Sequence, residues 1–162
     1  ITVESILKSK GSEFIHVDPD TLIGEANKIR HNNRIGSLLI LDENGQIAGI
    51  VSERDIVNIL AESGPEILEQ PVSTIMSCDV TVCHLDDDLE KIMACMTTKR
   101  IRHLPVVDND KVIGLISLGD AVKARMEELE SESEAMHEYI EGRRWRELSM
   151  QLGPQAASEK YT

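Results

Sequence analysis

The chain has 162 residues, 41% of them apolar, which is room for one ordinary domain or two very small ones sharing a core. Aromatic residues make up only 2%, so the core has to be built from Ile, Leu, Val, Met and Ala, and no aromatic stacking surface is expected. A formal charge of −12 disfavours nucleic acid or an anionic membrane as the main partner, because phosphate backbones are held by accumulated Lys and Arg.

In chain order, periodicity and turn chemistry predict a short strand at Phe14 to Val17, then the acidic turn "DPDT". An amphipathic helix follows, with Ile23, Ala26 and Ile29 at helical spacing. Two strands, Ser37 to Leu41 and Ile47 to Val51, meet at the hairpin "DENGQ", and a second helix starts at Ser52. Glu62 to Pro71, with Ser63, Gly64 and Pro65, reads as a connector. The same order then returns. A strand at Val80 to Cys83 leads through "HLDDD" to a helix carrying Leu89, Ile92, Met93 and Met96. Strands Leu104 to Val107 and Val112 to Ile116 flank "DNDK", and a helix starts at Ser117. From Ala121 onward a long helix is expected. Its residues Val122, Met126, Leu129, Ser133, Met136 and Ile140 fall at alternating spacings of four and three, with Ser133 interrupting the seam. Gly142 is expected to end or bend that helix before "RRWRELSM", and Trp145 is a candidate partner contact.

Self-comparison makes the duplication explicit. Gly49-Ile50-Val51-Ser52-Glu53-Arg54-Asp55-Ile56 lies on Gly114-Leu115-Ile116-Ser117-Leu118-Gly119-Asp120-Ala121, and Arg34 to Asp42 on Arg100 to Asp108. Val3-Glu4-Ser5-Ile6-Leu7 pairs with Val72-Ser73-Thr74-Ile75-Met76. One β-α-β-β-α unit buries little apolar surface by itself, so two copies packed through their sheets is the expected solution. The fold class is α/β in the mixed α+β sense: repeat 1 at 1–61, a linker at 62–70, repeat 2 at 71–125, a C-terminal helical extension at 126–152 and a flexible tail at 153–162.

The duplicated unit, each copy closing on G-h-h-S-x-x-D, with "RIRHLPVVD" before the second, resembles a tandem of CBS (cystathionine-β-synthase) domains, also called a Bateman module. The resemblance implies a non-enzymatic regulatory or signal-transduction module. Its expected ligand is an adenosine-containing molecule in the clefts between the repeats, AMP ahead of ATP, NAD or S-adenosylmethionine. It also implies a homodimer, while the C-terminal helix offers a surface for a protein partner. A ligand-free dimerisation or scaffold module, or a regulatory fragment of a larger enzyme or transporter, are the alternatives.

The residues carry a chemical reading beside the resemblance. Gly at the strand end permits close approach of backbone or ligand. The Ser hydroxyl and the N–H groups of the first helical turn suit a phosphate, and the Asp carboxylate can accept from both hydroxyls of a ribose. S-x-x-D at a helix start is equally a capping box. The candidate set is Ser117 and Asp120, with Ser52, Arg54 and Asp55 in the first copy. Lys99, Arg100, Arg102 and His103 form a local basic cluster, whose alternative is a solvated loop offsetting Asp86 to Asp88. The resemblance implies phosphate contacts from Arg102 and His103, and the adenine is assigned to Thr81, Val82 and Ile101. Gly36 and Ser37 stand where the second copy has Arg102 and His103, so the two clefts should differ, with the Ser117 and Asp120 site the stronger. No catalytic motif and no metal-ligand spacing is present, and three close-set cysteines without a C-x-x-C pair fit a reducing cytoplasm.

Overall fold

The computed structural model describes residues 1–152, and the tail expected at 153–162 lies outside the described residues. The chain divides into two units, Ile1–Ala121 and Val122–Thr162. The first holds α1 (Val3–Lys10), β1 (His16–Val17), α2 (Ile23–Asn32), β2 (Ser37–Leu41), β3 (Ile47–Ser52) and α3 (Glu53–Ser63). Two 3₁₀ turns, Pro65–Glu69 and Val72–Thr74, lead to α4 (Leu89–Lys99), β4 (His103–Asp108) and β5 (Lys111–Ser117). A last helix, α5, runs Leu118–Leu152. Among the described residues no helix is long and apolar enough to cross a membrane.

Local chemistry sets both hairpins. In the first, Asp42 Oδ1 accepts from the N–H groups of Asn44 (2.8 Å) and Gln46 (3.0 Å), and Gly45 supplies the left-handed residue at φ 77°. In the second, Asn109 and Asp110 both take positive φ, 51° and 64°, as a two-residue primed turn requires. The turns differ by one residue, yet each ladder is displaced at the same place, between Ile40 and Leu41 and between Val106 and Val107. The duplication reaches the backbone elsewhere too, since Arg34 and Arg100 both sit at φ 55°.

The sheets are unequal. β1 pairs parallel to β2, which pairs antiparallel to β3, whereas β4 and β5 form a two-stranded sheet. The strand expected at Val80 to Cys83 shrinks to one parallel bridge, Cys83 to Val106, with Cys83 N–H on the Pro105 carbonyl and Val107 N–H on the Cys83 carbonyl, both 2.9 Å. Proline is the cause. Pro105 occupies the position of Leu39 and has no N–H, so it cannot donate the next bond that would lengthen the ladder.

Alternation along the strands buries Val17, Leu38, Ile40 and Val51 together with Ile23, Ala26 and Ile56 from the helices and Val72 from the connector. The second repeat buries Leu89, Ile92, Met96, Leu104, Val106 and Ile116. Cys83 joins that interior at 1% exposure, and burial, followed by the charge of Asp87, pushes its thiol up to about 12. A thiolate-directed disulfide reagent at pH 8 is therefore expected to modify exposed Cys78 and leave Cys83 untouched until the protein unfolds. Mass mapping checks this, and early labelling of Cys83 in the native protein would contradict the burial.

α1 belongs to the first repeat in sequence but seats on the second. Val3 N–H donates to the Asp87 carbonyl (2.9 Å), Glu4 N–H to the Leu85 carbonyl (3.0 Å) and Leu89 N–H to the Ile1 carbonyl (3.0 Å). Leu7 lies over Gly114, whose added Cβ would come within 2.7 Å of its Cδ2. Met76 and the Ser77 carbonyl lie over Gly49 in the same way, each 2.8 Å from the position of a Cβ. The repeat glycines thus admit protein, not ligand. This explains the pairing of Leu7 with Met76 seen in the sequence.

In the second unit, α5 passes through Gly142, where a stop or bend was expected. A helical glycine costs only about 1 kcal/mol relative to alanine. Its neighbours are helix formers, and ion pairs one turn apart, His137 to Glu141 at 3.0 Å and Arg143 to Glu147 at 3.5 Å, lie on either side.

Candidate functional site

The Ser-x-x-Asp motifs are capping boxes in both copies. Ser52 Oγ accepts from Asp55 N–H (3.1 Å) while Asp55 Oδ2 accepts from Ser52 N–H (2.9 Å). Ser117 Oγ accepts from Asp120 N–H (3.0 Å) and Asp120 Oδ2 from Ser117 N–H (2.8 Å). The first helical N–H is occupied as well: Glu53 donates to the Gly36 carbonyl at 2.9 Å and Leu118 to the Arg102 carbonyl at 2.7 Å. The N–H groups of Glu53 and Asp55 in one helix start, and of Leu118 and Asp120 in the other, are thus used inside the fold.

The two copies part company at the carboxylate. Asp120 Oδ2 also accepts from Lys10 Nζ, and the same ammonium donates to the Leu115 carbonyl at 2.8 Å. Among the described residues nothing donates to Asp120 Oδ1. Burial would raise the Asp120 carboxyl, but hydrogen bonds from Lys10 and from Ser117 outweigh it and hold it below its ordinary value. In the other copy the backbone takes the place of the ammonium. Ile50, which corresponds to Leu115, exchanges two hydrogen bonds of 2.9 Å with Ser77.

Lys10 was absent from the sequence candidates, although a signal for it exists. Leu7 matches Met76, but Phe14 matches Val80, so the first copy holds three extra residues between these points, 14 − 7 against 80 − 76. They extend α1 by most of a turn and bring Lys10 to β5. Gly11, at φ 94°, then closes the helix with its N–H on the Leu7 carbonyl.

Lys10 and Ser117 lie at the polar end of a cavity of about 210 Å³. Its walls are apolar: Phe14 and Ile15 before β1, Ile35 and Leu39 around β2, Ile50 on β3, and Pro105 and Leu115 on the opposite sheet. Ser37, His103 and Glu13 complete it. The single phenylalanine of the chain thus supplies an aromatic wall where none was expected, and its ring lies 5.2 Å from that of His16. Burial first, then the positive charge of Lys10, holds the His103 imidazole below its ordinary value, so it is neutral at pH 7. Drug-sized sites hold about 300–1,000 Å³. This one is smaller than that range.

Thr81, Val82 and Ile101 are half-buried but do not line this cavity, and Thr81 Oγ1 accepts from Lys99 Nζ at 3.3 Å. The apolar wall near Ser117 comes from the start of the other repeat: Ile15 and Ile35, the counterparts of Thr81 and Ile101, line it together with Phe14. Arg102 is exposed and contributes its carbonyl, while His103 beside it does line the cavity. Ser52 and Asp55 remain as a cap and Arg54 is exposed. Its neighbour Glu53 faces buried Arg30 at 3.7 Å.

Comparison with known proteins agrees with this geometry. The family model described as CBS domain matches residues 3–62 and 72–127. A CBS-domain containing protein from Agrobacterium tumefaciens is 40% identical, with a TM-score of 0.69 over 76% of this chain and 92% of that one. The mitochondrial CBS domain-containing protein CBSX3 of Arabidopsis thaliana is 28% identical over 149 residues, 87% of this chain and 72% of its own. The CBS domain pair of protein MJ0100, solved in complex with 5′-methylthioadenosine and S-adenosyl-L-methionine, is 27% identical with a TM-score of 0.64, covering 79% of this chain and 98% of that one. With two family matches phased on the two repeats, on a fold shared with solved pairs, the chain belongs to the CBS-domain family.

Proposed function

We propose that this CBS pair is a non-enzymatic cytoplasmic sensor of an adenine nucleotide, with AMP as its preferred ligand. The observation that carries the reading is the apolar cavity whose polar lining includes Lys10, Ser117 and His103, with Asp120 bonded to both Lys10 and Ser117 beside it. Adenine lies between Phe14 and the aliphatic walls. The ribose hydroxyls donate to Asp120 Oδ1, and the phosphate meets Lys10, the Ser117 hydroxyl and His103. The complex of MJ0100 supports an adenosine-type ligand in such pairs. Charge favours AMP over S-adenosylmethionine here, because a sulfonium and an ammonium would be brought to Lys10. The small volume favours AMP over ATP or NAD.

Binding makes Lys10 exchange its contact with Asp120 for one with phosphate, which biases the seat of α1 on β5. A signal follows only to the extent that the ligand prefers one arrangement. Calorimetry is expected to give AMP a dissociation constant between about 1 μM and 1 mM, tighter than S-adenosylmethionine by about tenfold or more. If AMP, ATP, NAD and S-adenosylmethionine all bound more weakly than millimolar, the sensor reading would be overturned and a scaffold role favoured.

The reading also fixes a pH dependence. His103 is held below its ordinary value in the folded protein, so its neutral form stabilises the fold above about 6.5, and that contribution is lost as pH falls through the depressed value. A phosphate beside it raises that value, and binding then takes up a proton. Once corrected for the ionisation of its own phosphate, which falls at about pH 6, AMP is expected to bind tighter at pH 6 than at pH 8. Adenosine, lacking phosphate, should show no such gain, and equal slopes for both would remove His103 from the phosphate site.

A further inference from the structure

The seam on α5 is open in this chain. Val122 is 41% exposed, Met126 57%, Leu129 46%, Met136 60% and Ile140 49%. In a heptad frame Val122, Leu129 and Met136 are d residues, and Met126, Ser133 and Ile140 are a residues. The flanking g positions are then Arg125, Glu132 and Tyr139, and the e positions Lys123, Glu130 and His137.

We infer that α5 pairs with α5 of a second copy of this chain, parallel and in register, along Val122, Met126, Leu129, Met136 and Ile140. The charges choose the partner and the direction. In a parallel pair each g residue faces the e residue five positions on in the other helix, which sets Arg125 against Glu130 and Glu132 against His137. The antiparallel register that buries the same apolar residues sets Glu130 against Glu130 and Glu132 against Glu132, with Lys123 near His137. Every flank is then repulsive or empty. A parallel two-fold pair turns the Arg125 flank into attraction and lets His137 donate a hydrogen bond to Glu132.

The local pairs present in one chain do not oppose this. Arg125 bonds Glu128 at 2.9 Å, and His137 bonds Glu141 at 3.0 Å with both side chains largely exposed. The exposed His137 pair contributes little, and Arg125, half-buried with Glu128, keeps further N–H donors for a second carboxylate. Ser133, the polar residue at an a position, loses nothing by facing its own counterpart, and it weakens alternative registers that would bring it against Leu129 or Met136.

The test uses the full chain with Cys78 and Cys95 changed to serine, carrying Ser133→Cys. Under mild oxidation a parallel in-register pair gives a disulfide-linked dimer on a non-reducing gel. Sedimentation at about 100 μM should report a dimer for the unmodified chain and at least a tenfold weaker one for Leu129→Glu, with circular dichroism showing the fold retained. The inference is overturned by a monomeric unmodified chain. It is equally overturned by crosslinking of Ser133→Cys only to Leu129→Cys, which marks antiparallel pairing, or by a dimer indifferent to Leu129→Glu, which places the interface elsewhere. Nucleotide binding enters none of these readouts.

Discussion

Asp120→Asn is expected to weaken AMP binding by about 10- to 100-fold and to lower the melting temperature modestly, because the ionised carboxylate that Lys10 and Ser117 favour in the fold is lost. The amide oxygen can still accept from Ser117 N–H, so the cap persists, but the charged acceptor for the ribose hydroxyls is gone. A hydrogen bond to a charged group contributes about 1.5–3 kcal/mol, and 1.4 kcal/mol is a factor of ten. Lys10→Met supplies the discriminating control. It removes the phosphate contact and also releases Asp120 Oδ2, so AMP should weaken about tenfold whereas adenosine should bind as well as before or better. Calorimetry on the two variants with both ligands reads all four numbers. Unchanged AMP affinity in Asp120→Asn would leave the motif with capping alone.

The largest effect on stability is expected at Gly49. An added Cβ would fall 2.8 Å from the Ser77 carbonyl oxygen and from Met76 Sδ. Backbone cannot step aside as a side-chain tip can. Relief requires moving the segment that exchanges two 2.9 Å hydrogen bonds with Ile50. Overpacking costs about 1–3 kcal/mol and each lost hydrogen bond about 1, so Gly49→Val should destabilise by about 3–5 kcal/mol. At about 2–4 °C per kcal/mol this lowers the melting temperature by roughly 6–20 °C. Gly114→Ala tests the cause. There the obstacle is the end of the Leu7 side chain, which can change rotamer, so this variant should lose clearly less than Gly49→Ala in the same thermal scan. Equal losses would mean that the two glycines are not distinguished by what covers them.

The contrast between those glycines also shows what was legible in the sequence. Two phased copies, their hairpins and their capping boxes could be read directly, because each rests on contacts a few residues apart: Asp42 with Gln46, Ser117 with Asp120. The ladder loss at Pro105 was legible in principle, since only the pairing of Pro105 with Leu39 is needed to see the missing donor. Contacts between the repeats were not. Phe14 and Ile15 lie far in sequence from Ser117, and nothing local assigns them to its cavity rather than to their own motif. Lys10 falls in the three-residue excess of the first copy, where an alignment of the repeats has no counterpart to compare. Gly142 was misread for the opposite reason, because a local propensity of about 1 kcal/mol was given more weight than the helix around it.

The seat of α1 bears on how the protein is made. Val3–Lys10 is synthesised early, but the groups that receive it, the Leu85 and Asp87 carbonyls, the surface of Gly114 and the carboxylate of Asp120, leave the ribosome much later. At about 5–20 residues per second the helix waits several seconds with Val3, Ile6 and Leu7 uncovered. The first repeat can collapse around its own core in that interval, but the cavity cannot close. The cavity beside Lys10 is therefore completed only when the second repeat has been released, and a ribosome stalled before β5 would carry a nascent chain with half the fold and an open cavity.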